Sequence, residues 1–168
     1  MADSSLKCNH ERAQEARTDK GMGMSDDLSR TMAELEVPAR YAAFDRLVAL
    51  AEAAVADWPR RDVLRLILVI EELFTNSIRH GYGAEGERPV RLSLRRDGSA
   101  VVVSYEDEAP PFDPLAPESS APAAAASAGG LGLWLVRHYA LECRYRREND
   151  RNLIGFRLLP AATSAGDD

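Results

Sequence analysis

Cysteine, histidine and long apolar runs are scarce in this chain of 168 residues. Its two cysteines, Cys8 and Cys143, make no disulfide framework, and neither lies near a histidine at the spacing of zinc ligands. We therefore expect two reduced, unpaired thiols, as in a cytoplasmic protein. No apolar run reaches the roughly 18 residues that a membrane-spanning helix needs, and the N-terminus lacks the apolar core of a signal peptide. These absences predict a cytoplasmic protein without a membrane segment.

Net positive charge is absent as well. The chain has 21 lysines and arginines against 27 aspartates and glutamates, a formal net charge of −6. This charge argues against non-specific binding to nucleic acid or to an anionic membrane, and favours proteins or small molecules as partners. Hydrophobic residues make up 45% of the chain, enough for a sizeable core in one domain.

The predicted domain occupies residues 31–160. Residues 1–30 are polar, charged and without periodicity, which predicts a disordered arm. Met22 and Met24 lie within this arm, and either is an alternative start of translation. Residues 161–168 are small and acidic, which predicts a frayed tail. The chain has no internal repeats.

Hydrophobic periodicity predicts the first half of the domain. A strand at 31–38 precedes a helix from Tyr41 to Trp58, and Pro59 ends that helix. A second helix follows and is expected to stop at Gly81 or Gly83. Residues 88–107 then alternate between apolar and polar side chains on both sides of Asp97-Gly98, a pattern typical of a β-hairpin.

The second half contains a linker, a helix and another hairpin. Residues 115–128 are rich in proline, alanine and serine, which is typical of a flexible linker. A helix from Leu133 to Ala140 and a hairpin that turns near Asn149-Asp150 follow. This element order predicts an α+β fold, a two-layer sandwich with the helices on one face of a mixed sheet.

The most informative stretch is EELFTNSIRHGY at 71–82. Glu72, Asn76 and His80 follow one another at four-residue spacing, which places a carboxylate, a carboxamide and an imidazole on one strip of a helix. The opposite face of the helix is apolar and consists of Val63, Leu66, Ile67, Ile70, Leu73 and Phe74. Taken alone, such a strip is more often a solvated polar face than a functional site.

Two further motifs follow at a distance, EDEAPPFDP at 106–114 and GGLGLWLVR at 129–137. Together with 71–82, they resemble the N box, first glycine box and second glycine box of the GHKL ATPase superfamily. The short chain and the PPFDP motif are most similar to the anti-sigma-factor serine kinases of bacterial partner-switching systems. This resemblance covers residues 31–159. It implies a Bergerat-type ATP-binding fold with a largely antiparallel sheet.

The resemblance implies roles for individual residues, with ATP and Mg²⁺ as cofactors. Asn76 matches the family's Mg²⁺ ligand. Glu72, one helical turn earlier, can act as a general base on an attacking hydroxyl or water. Asp107 matches the aspartate that accepts a hydrogen bond from the adenine amino group, and Ala109 stands where the backbone approaches the base. His80 is expected to be structural rather than catalytic.

The second glycine box is the predicted phosphate site. Gly130 and Gly132 allow a tight turn, and the helix that they open presents free N–H groups to anions. Leu131 and Leu133 complete this nucleotide-binding set. In this context, the linker at 115–128 is expected to be the lid over the phosphates.

Two features depart from the family pattern near the predicted adenine site. Ala109 replaces the expected glycine, whose lack of a side chain lets the backbone approach the base. Glu106 and Glu108 flank Asp107, and their negative charge is expected to be unfavourable for a nucleotide.

The resemblance implies an ATP-dependent serine protein kinase of the anti-sigma type, which would phosphorylate a serine of a STAS-type anti-sigma-factor antagonist. It would also sequester a sigma factor or another partner, and it would form a homodimer. A nucleotide-gated binding regulator without phosphotransfer is the alternative, and Ala109 and the acidic flanks support it. A detached histidine-kinase catalytic domain is disfavoured because neither His10 nor His138 lies in a dimerising helix pair.

Overall fold

The computed structural model of the protein describes residues 4–5, 32–113 and 140–161. Six strands in these ranges form one sheet in the order β1-β5-β6-β4-β3-β2, and each neighbouring pair is antiparallel. The sheet, predicted as mixed and largely antiparallel, is thus antiparallel throughout the described residues. The strands are β1 Ser4–Ser5, β2 Met32–Pro38, β3 Pro89–Asp97, β4 Ala100–Asp107, β5 Leu141–Glu148 and β6 Arg151–Leu158.

Two helices pack on one face of this sheet. Helix α1 spans Phe44–Ala54 and follows a 3₁₀ turn at Tyr41–Ala43, whereas α2 spans Arg60–Asn76. Helix α1 ends before the predicted Trp58, because Val55 leaves the helical region with φ −128°. No helix within the described ranges is long and apolar enough to cross a membrane. The predicted α+β sandwich is confirmed.

The core lies between the helices and the inner face of the sheet. Alternate residues of β3, β4 and β6 point inward, which is the consequence of the two-residue repeat of a strand. Phe74 of α2 is fully buried and stacks on Phe44 of α1, with the ring centroids 5.9 Å apart. Burial of one large apolar side chain of this kind contributes about 1.5–3 kcal/mol. The largest fully buried side chains are Leu47, Leu66, Ile70, Phe74, Ile78, Leu92, Leu94, Tyr105 and Phe156.

Two tight turns connect the strands that carry the site residues. Gly98 adopts a left-handed φ of 60° between β3 and β4, and Asn149 and Asp150 have φ of 49° and 62° between β5 and β6. An Asn-Asp pair tolerates this backbone conformation better than most residues. Between the two hairpins, β4 pairs with β6, and the last residue of β4, Asp107, lies opposite Asn152 near the start of β6.

Several predictions concern residues outside the described ranges. These are the lid at 115–128, the glycine box at 129–133 and most of the helix to Ala140. Most of the N-terminal arm and the tail from 162 onward also lie outside. Within the arm, the described residues Ser4–Ser5 pair with Arg144 and Tyr145 at the edge of the sheet.

Candidate functional site

A small pocket lies where the end of α2 meets the end of β4. Three of the predicted site residues, Asn76, Asp107 and Ala109, line this pocket together. The full lining is Leu73, Asn76, Ser77, Gly81, Asp107, Ala109, Phe112, Asn152 and Ile154.

Asp107 is the polar centre of the pocket and is 6% exposed. Its Oδ1 accepts hydrogen bonds from Asn152 Nδ2 at 2.7 Å and from the backbone N–H of Ala109 at 3.0 Å. Among the described residues, one group donates to its Oδ2, the hydroxyl of Ser77 at 2.5 Å. A carboxylate has about four acceptor positions, so Oδ2 retains the capacity to accept a further donor from the pocket.

Asn152 holds this carboxylate and the loop after it. The side-chain Oδ1 of Asn152 accepts from Tyr145 Oη at 2.9 Å and from Arg147 Nη1 at 3.0 Å, which fixes the orientation of the amide. Its Nδ2 therefore faces Asp107, and it also lies 3.2 Å from the carbonyl oxygen of Ala109. Arg147 donates to that same carbonyl at 2.7 Å.

Sequence reasoning missed Asn152, although a signal for it exists. Asn152 is in phase with Ile154, Phe156 and Leu158, the residues of β6 that point into the core. A polar residue in an otherwise apolar inward row needs hydrogen-bond partners, because an unpaired buried amide costs about 1–3 kcal/mol. This pattern alone would have marked the position, but not its contact with Asp107.

Ser77 and Tyr105 were also missed. The Tyr105 hydroxyl lies 2.7 Å from Ser77 Oγ, and the tyrosine is fully buried. Burial raises the pKa of Tyr105 well above its ordinary value. Ser77 lies inside the predicted N box, and Tyr105 is in phase with the inward residues Val101 and Val103. Both residues therefore look like ordinary members of their elements in the sequence.

The predicted strip of Glu72, Asn76 and His80 is wrong at its third member. From Ser77 to Tyr82, the backbone is π-helical and no longer α-helical. Hydrogen bonds in a π-helix span five residues instead of four, which widens the turn, and Gly81 follows Asn76 on the pocket wall. His80 is exposed and does not line the pocket.

Glu72 and Asn76 remain neighbours, as predicted, because they lie in the regular part of α2. Asn76 Nδ2 donates to Glu72 Oε1 at 3.4 Å, at the long end of the hydrogen-bond range. Glu72 is partly buried and does not itself line the pocket. Burial raises the pKa of Glu72, while the hydrogen bond from Asn76 opposes that rise.

The carboxamide of Asn76, next to Glu72, is a type of oxygen ligand that suits Mg²⁺. No group of three or more histidines, cysteines, aspartates or glutamates that could hold a metal occurs among the described residues. Because Asn76 donates through Nδ2, its Oδ1 is left as a neutral oxygen ligand at the pocket. Mg²⁺ commonly takes one or two protein oxygens and completes its shell with water and phosphate oxygens.

The two acidic residues that flank Asp107 form ion pairs with arginines. Glu106 points to the opposite face of β4, where its carboxylate lies 2.9 Å from Arg91 and 2.8 Å from Arg151. Glu108 lies 3.4 Å from Arg151. Arg91 is shared with Glu36, so these two arginines offset only part of the negative charge beside Asp107. The effect of the flanks on a nucleotide stays a prediction.

The predicted phosphate-binding residues are not among those that the structure describes. These residues are Gly130, Leu131, Gly132 and Leu133. Their roles, like those of Glu72, Asn76, Asp107 and Ala109, therefore remain predictions.

Comparison with known proteins identifies the domain. The chain is 30% identical over 123 residues to the serine/threonine-protein kinase BtrW of Bordetella bronchiseptica, a match that covers 71% of this chain and 86% of that protein. It is also similar to a solved structure, the Acinetobacter baumannii histidine kinase AdeS, with 17% identity, a TM-score of 0.41, and coverage of 78% and 69% of the respective chains. That TM-score is too low to support an argument. Residues 37–158 match the model of the histidine kinase-like ATPase domain, and the chain belongs to this family.

Proposed function

We propose that this protein is an ATP-dependent serine protein kinase that phosphorylates a STAS-type anti-sigma-factor antagonist. Membership of the histidine kinase-like ATPase family supports ATP as the nucleotide. The relative named as a serine/threonine-protein kinase supports a hydroxyl side chain as the acceptor of the phosphate. The observation that carries the proposal is Asp107, a buried carboxylate whose Oδ2 can accept a donor from a pocket shared with Asn76.

The pocket is suited to adenine. Leu73, Phe112 and Ile154 offer apolar surfaces for the faces of a planar base. Asp107 offers an acceptor for the exocyclic amino group of adenine. Guanine carries a carbonyl oxygen at the corresponding position, and two acceptors would face each other there. This mismatch would disfavour guanine because it leaves buried polar groups unpaired.

The phosphate end of the proposed site is the edge of the pocket at Asn76. Bound Mg²⁺ would supply charge neutralisation on the phosphates, and Asn76 Oδ1 would hold it. Glu72 accepts the proton of the serine hydroxyl while the serine oxygen bonds to the γ-phosphorus and the bond to the ADP oxygen breaks. The partial burial of Glu72 supports this role, because a raised pKa makes the carboxylate a stronger base.

Sigma-factor sequestration and a homodimer belong to the same proposal, and the motif resemblance supports them. The acidic flanks support the alternative regulator less strongly, since Glu106 and Glu108 are each paired with an arginine. Its other support, the methyl group of Ala109, is accommodated by Gly81. Glu72 is also present, and a regulator without phosphotransfer has no need of a general base.

A two-part experiment tests the proposal. Calorimetry with ATP and with GTP, both with Mg²⁺, should show binding of ATP and a clear preference for it. The tagged protein is then used to capture its partners, and the STAS-type protein identified by mass spectrometry is incubated with γ-labelled ATP and the unmutated chain. Label on a serine of that protein supports the kinase. Tight ATP binding without label would replace the kinase by the nucleotide-gated regulator.

A further inference from the structure

We propose that Tyr105 and Ser77 form a hydrogen-bond relay that keeps Asp107 Oδ2 aimed at the pocket as an acceptor, and so sets the preference for adenine. The inference rests on the proposed function, since it concerns the same pocket. It adds two positioning residues that act through Asp107.

The direction of the relay follows from counting hydrogens on Ser77. Its Oγ lies 2.5 Å from Asp107 Oδ2, 2.7 Å from Tyr105 Oη and 3.0 Å from the carbonyl oxygen of Leu73. A serine hydroxyl has a single hydrogen, and the carboxylate and the carbonyl can only accept. Tyr105 is therefore the neighbour that donates to Ser77.

The single hydrogen of Ser77 then goes to Asp107. The carboxylate is charged and is the closer acceptor, and hydrogen bonds to charged groups are roughly twice as strong as neutral ones. The carbonyl of Leu73 competes for this hydrogen from 3.0 Å within the same helix. By occupying one lone pair of Ser77, Tyr105 favours the rotamer that points toward Asp107.

Tyr105 is held in place as a donor. It lies on β4, two positions before Asp107, and both residues point to the inner face of the sheet. Its ring is fully buried, and its hydroxyl contacts Ser77 but no other hydrogen-bond partner within the described residues. Burial raises the pKa of Tyr105, so the hydroxyl keeps its proton near neutral pH.

The other oxygen of Asp107 is fixed independently. Asn152 Nδ2 and the N–H of Ala109 both donate to Oδ1. With Ser77 on Oδ2, all three groups around the carboxylate are donors, and together they fix its plane. The open acceptor position on Oδ2 thus has a set direction, and loss of Ser77 releases the carboxylate on that side only.

The test uses Ser77→Ala, Tyr105→Phe and the double variant, with Mg·ATP and Mg·GTP affinities measured by calorimetry. Ser77→Ala should weaken ATP binding about tenfold, as expected for one lost hydrogen bond to a charged group, and GTP binding much less. The ratio of the two affinities should therefore fall. Tyr105→Phe should lower the ratio in the same direction by a smaller factor.

The double variant separates a relay from two unrelated defects. If Tyr105 acts through Ser77, the double variant should have the ATP affinity of Ser77→Ala alone, because Tyr105 has nothing left to orient. Thr75→Ala is the matched control, since Thr75 lies two residues before Ser77. Within the described residues, its hydroxyl bonds only to the backbone carbonyl of Glu72, at 3.2 Å. The ratio of ATP to GTP affinity should be unchanged in Thr75→Ala.

Two outcomes would overturn the relay. One is an unchanged ratio of ATP to GTP affinity in a folded Ser77→Ala variant. The other is a loss of ATP affinity in the double variant that equals the sum of the losses in the two single variants. Thermal melts identify a variant that does not fold, and Tyr105→Phe, which keeps the buried ring, then carries the test. An unmutated chain that binds no ATP would instead refute the proposed function, and the relay with it.

Discussion

Gly81 and Ala109 fit against each other by size. A Cβ atom placed on Gly81 would lie 2.5 Å from the Cβ of Ala109, closer than real Cβ atoms approach. The methyl group of Ala109 thus uses the space that the missing side chain of Gly81 leaves. This contact joins the π-helical turn after α2 to the loop after β4, and both residues line the pocket. The absence of a side chain at Gly81 therefore makes room for the methyl group of Ala109.

The first prediction is that Gly81→Ala destabilises the protein and that Ala109→Gly relieves the effect. Overpacking of one methyl group typically costs about 1–3 kcal/mol. The double variant should regain most of that loss, since the clashing atom is then absent. The free energy of unfolding from urea titrations measures all three variants.

Gly86→Ala is the control for this cycle. A Cβ on Gly86 would meet nothing within 4 Å, so the substitution should change stability little. If Gly81→Ala lowers the free energy of unfolding equally with and without Ala109→Gly, the two residues are not coupled. The clash would then be relieved by movement of the loop after Asp107.

Asp107→Asn is predicted to reverse the base preference of the pocket. Asn152 and the N–H of Ala109 both donate to Oδ1, so the oxygen of the new amide is held at that position. Its NH₂ group then stands in the place of Oδ2 and faces the amino group of adenine. We expect ATP affinity to fall tenfold or more, because a mismatched buried pair costs about 1–3 kcal/mol.

GTP provides the internal control for Asp107→Asn. Its carbonyl oxygen can accept from the new NH₂ group, so GTP affinity should stay the same or rise. Calorimetry with both nucleotides gives the two values from one preparation. Wild-type ATP affinity in this variant would place the base elsewhere, away from Asp107.

The fold was predictable because it depends on local patterns that the sequence displays. Alternation in 88–107 and the Asp97-Gly98 turn predicted β3 and β4, which the structure confirms. The position of Asp107 at a strand end followed from the same pattern. The failure at His80 has a local cause too, since four-residue spacing holds for an α-helix and the π-helical turn shifts the register by one.

The contacts around Asp107 were not predictable in the same way. Ser77, Tyr105 and Asn152 lie on three different elements, and their contact depends on strand register and on how α2 crosses the sheet. No periodicity within one element contains that information. The same holds for Gly81 and Ala109. Their size complementarity depends on the contact between the π-helical turn after α2 and the loop after β4.

Asn76→Ala is predicted to weaken ATP binding mainly when Mg²⁺ is present. Asn76 donates to Glu72 and offers its Oδ1 to the pocket, whereas the base is expected at Asp107 on the other side. Loss of the oxygen ligand should therefore affect the metal-bound phosphates and leave the base contacts intact. Calorimetry is performed with Mg²⁺ and with EDTA, and an equal loss in both conditions would refute the metal assignment.

The last prediction concerns Glu72, the proposed general base. Glu72 does not line the pocket, so Glu72→Ala should bind ATP and the protein partner nearly as well as the unmutated chain. Phosphate transfer to the antagonist's serine should be slower by about 10²–10⁴-fold, the usual contribution of a general base. Single-turnover assays with γ-labelled ATP measure this rate.

Two variants decide whether Glu72 acts as a base or only positions Asn76. Glu72→Gln keeps an oxygen that can accept from Asn76 Nδ2, but it can no longer take up a proton at neutral pH. If proton transfer matters, this variant should be nearly as slow as Glu72→Ala; a near-normal rate would mean that Glu72 only orients Asn76. Glu71→Ala is the matched control, since Glu71 is an exposed carboxylate on the same helix, and its rate should be unchanged. Equal transfer by all four proteins would assign Glu72 to the solvated face of α2.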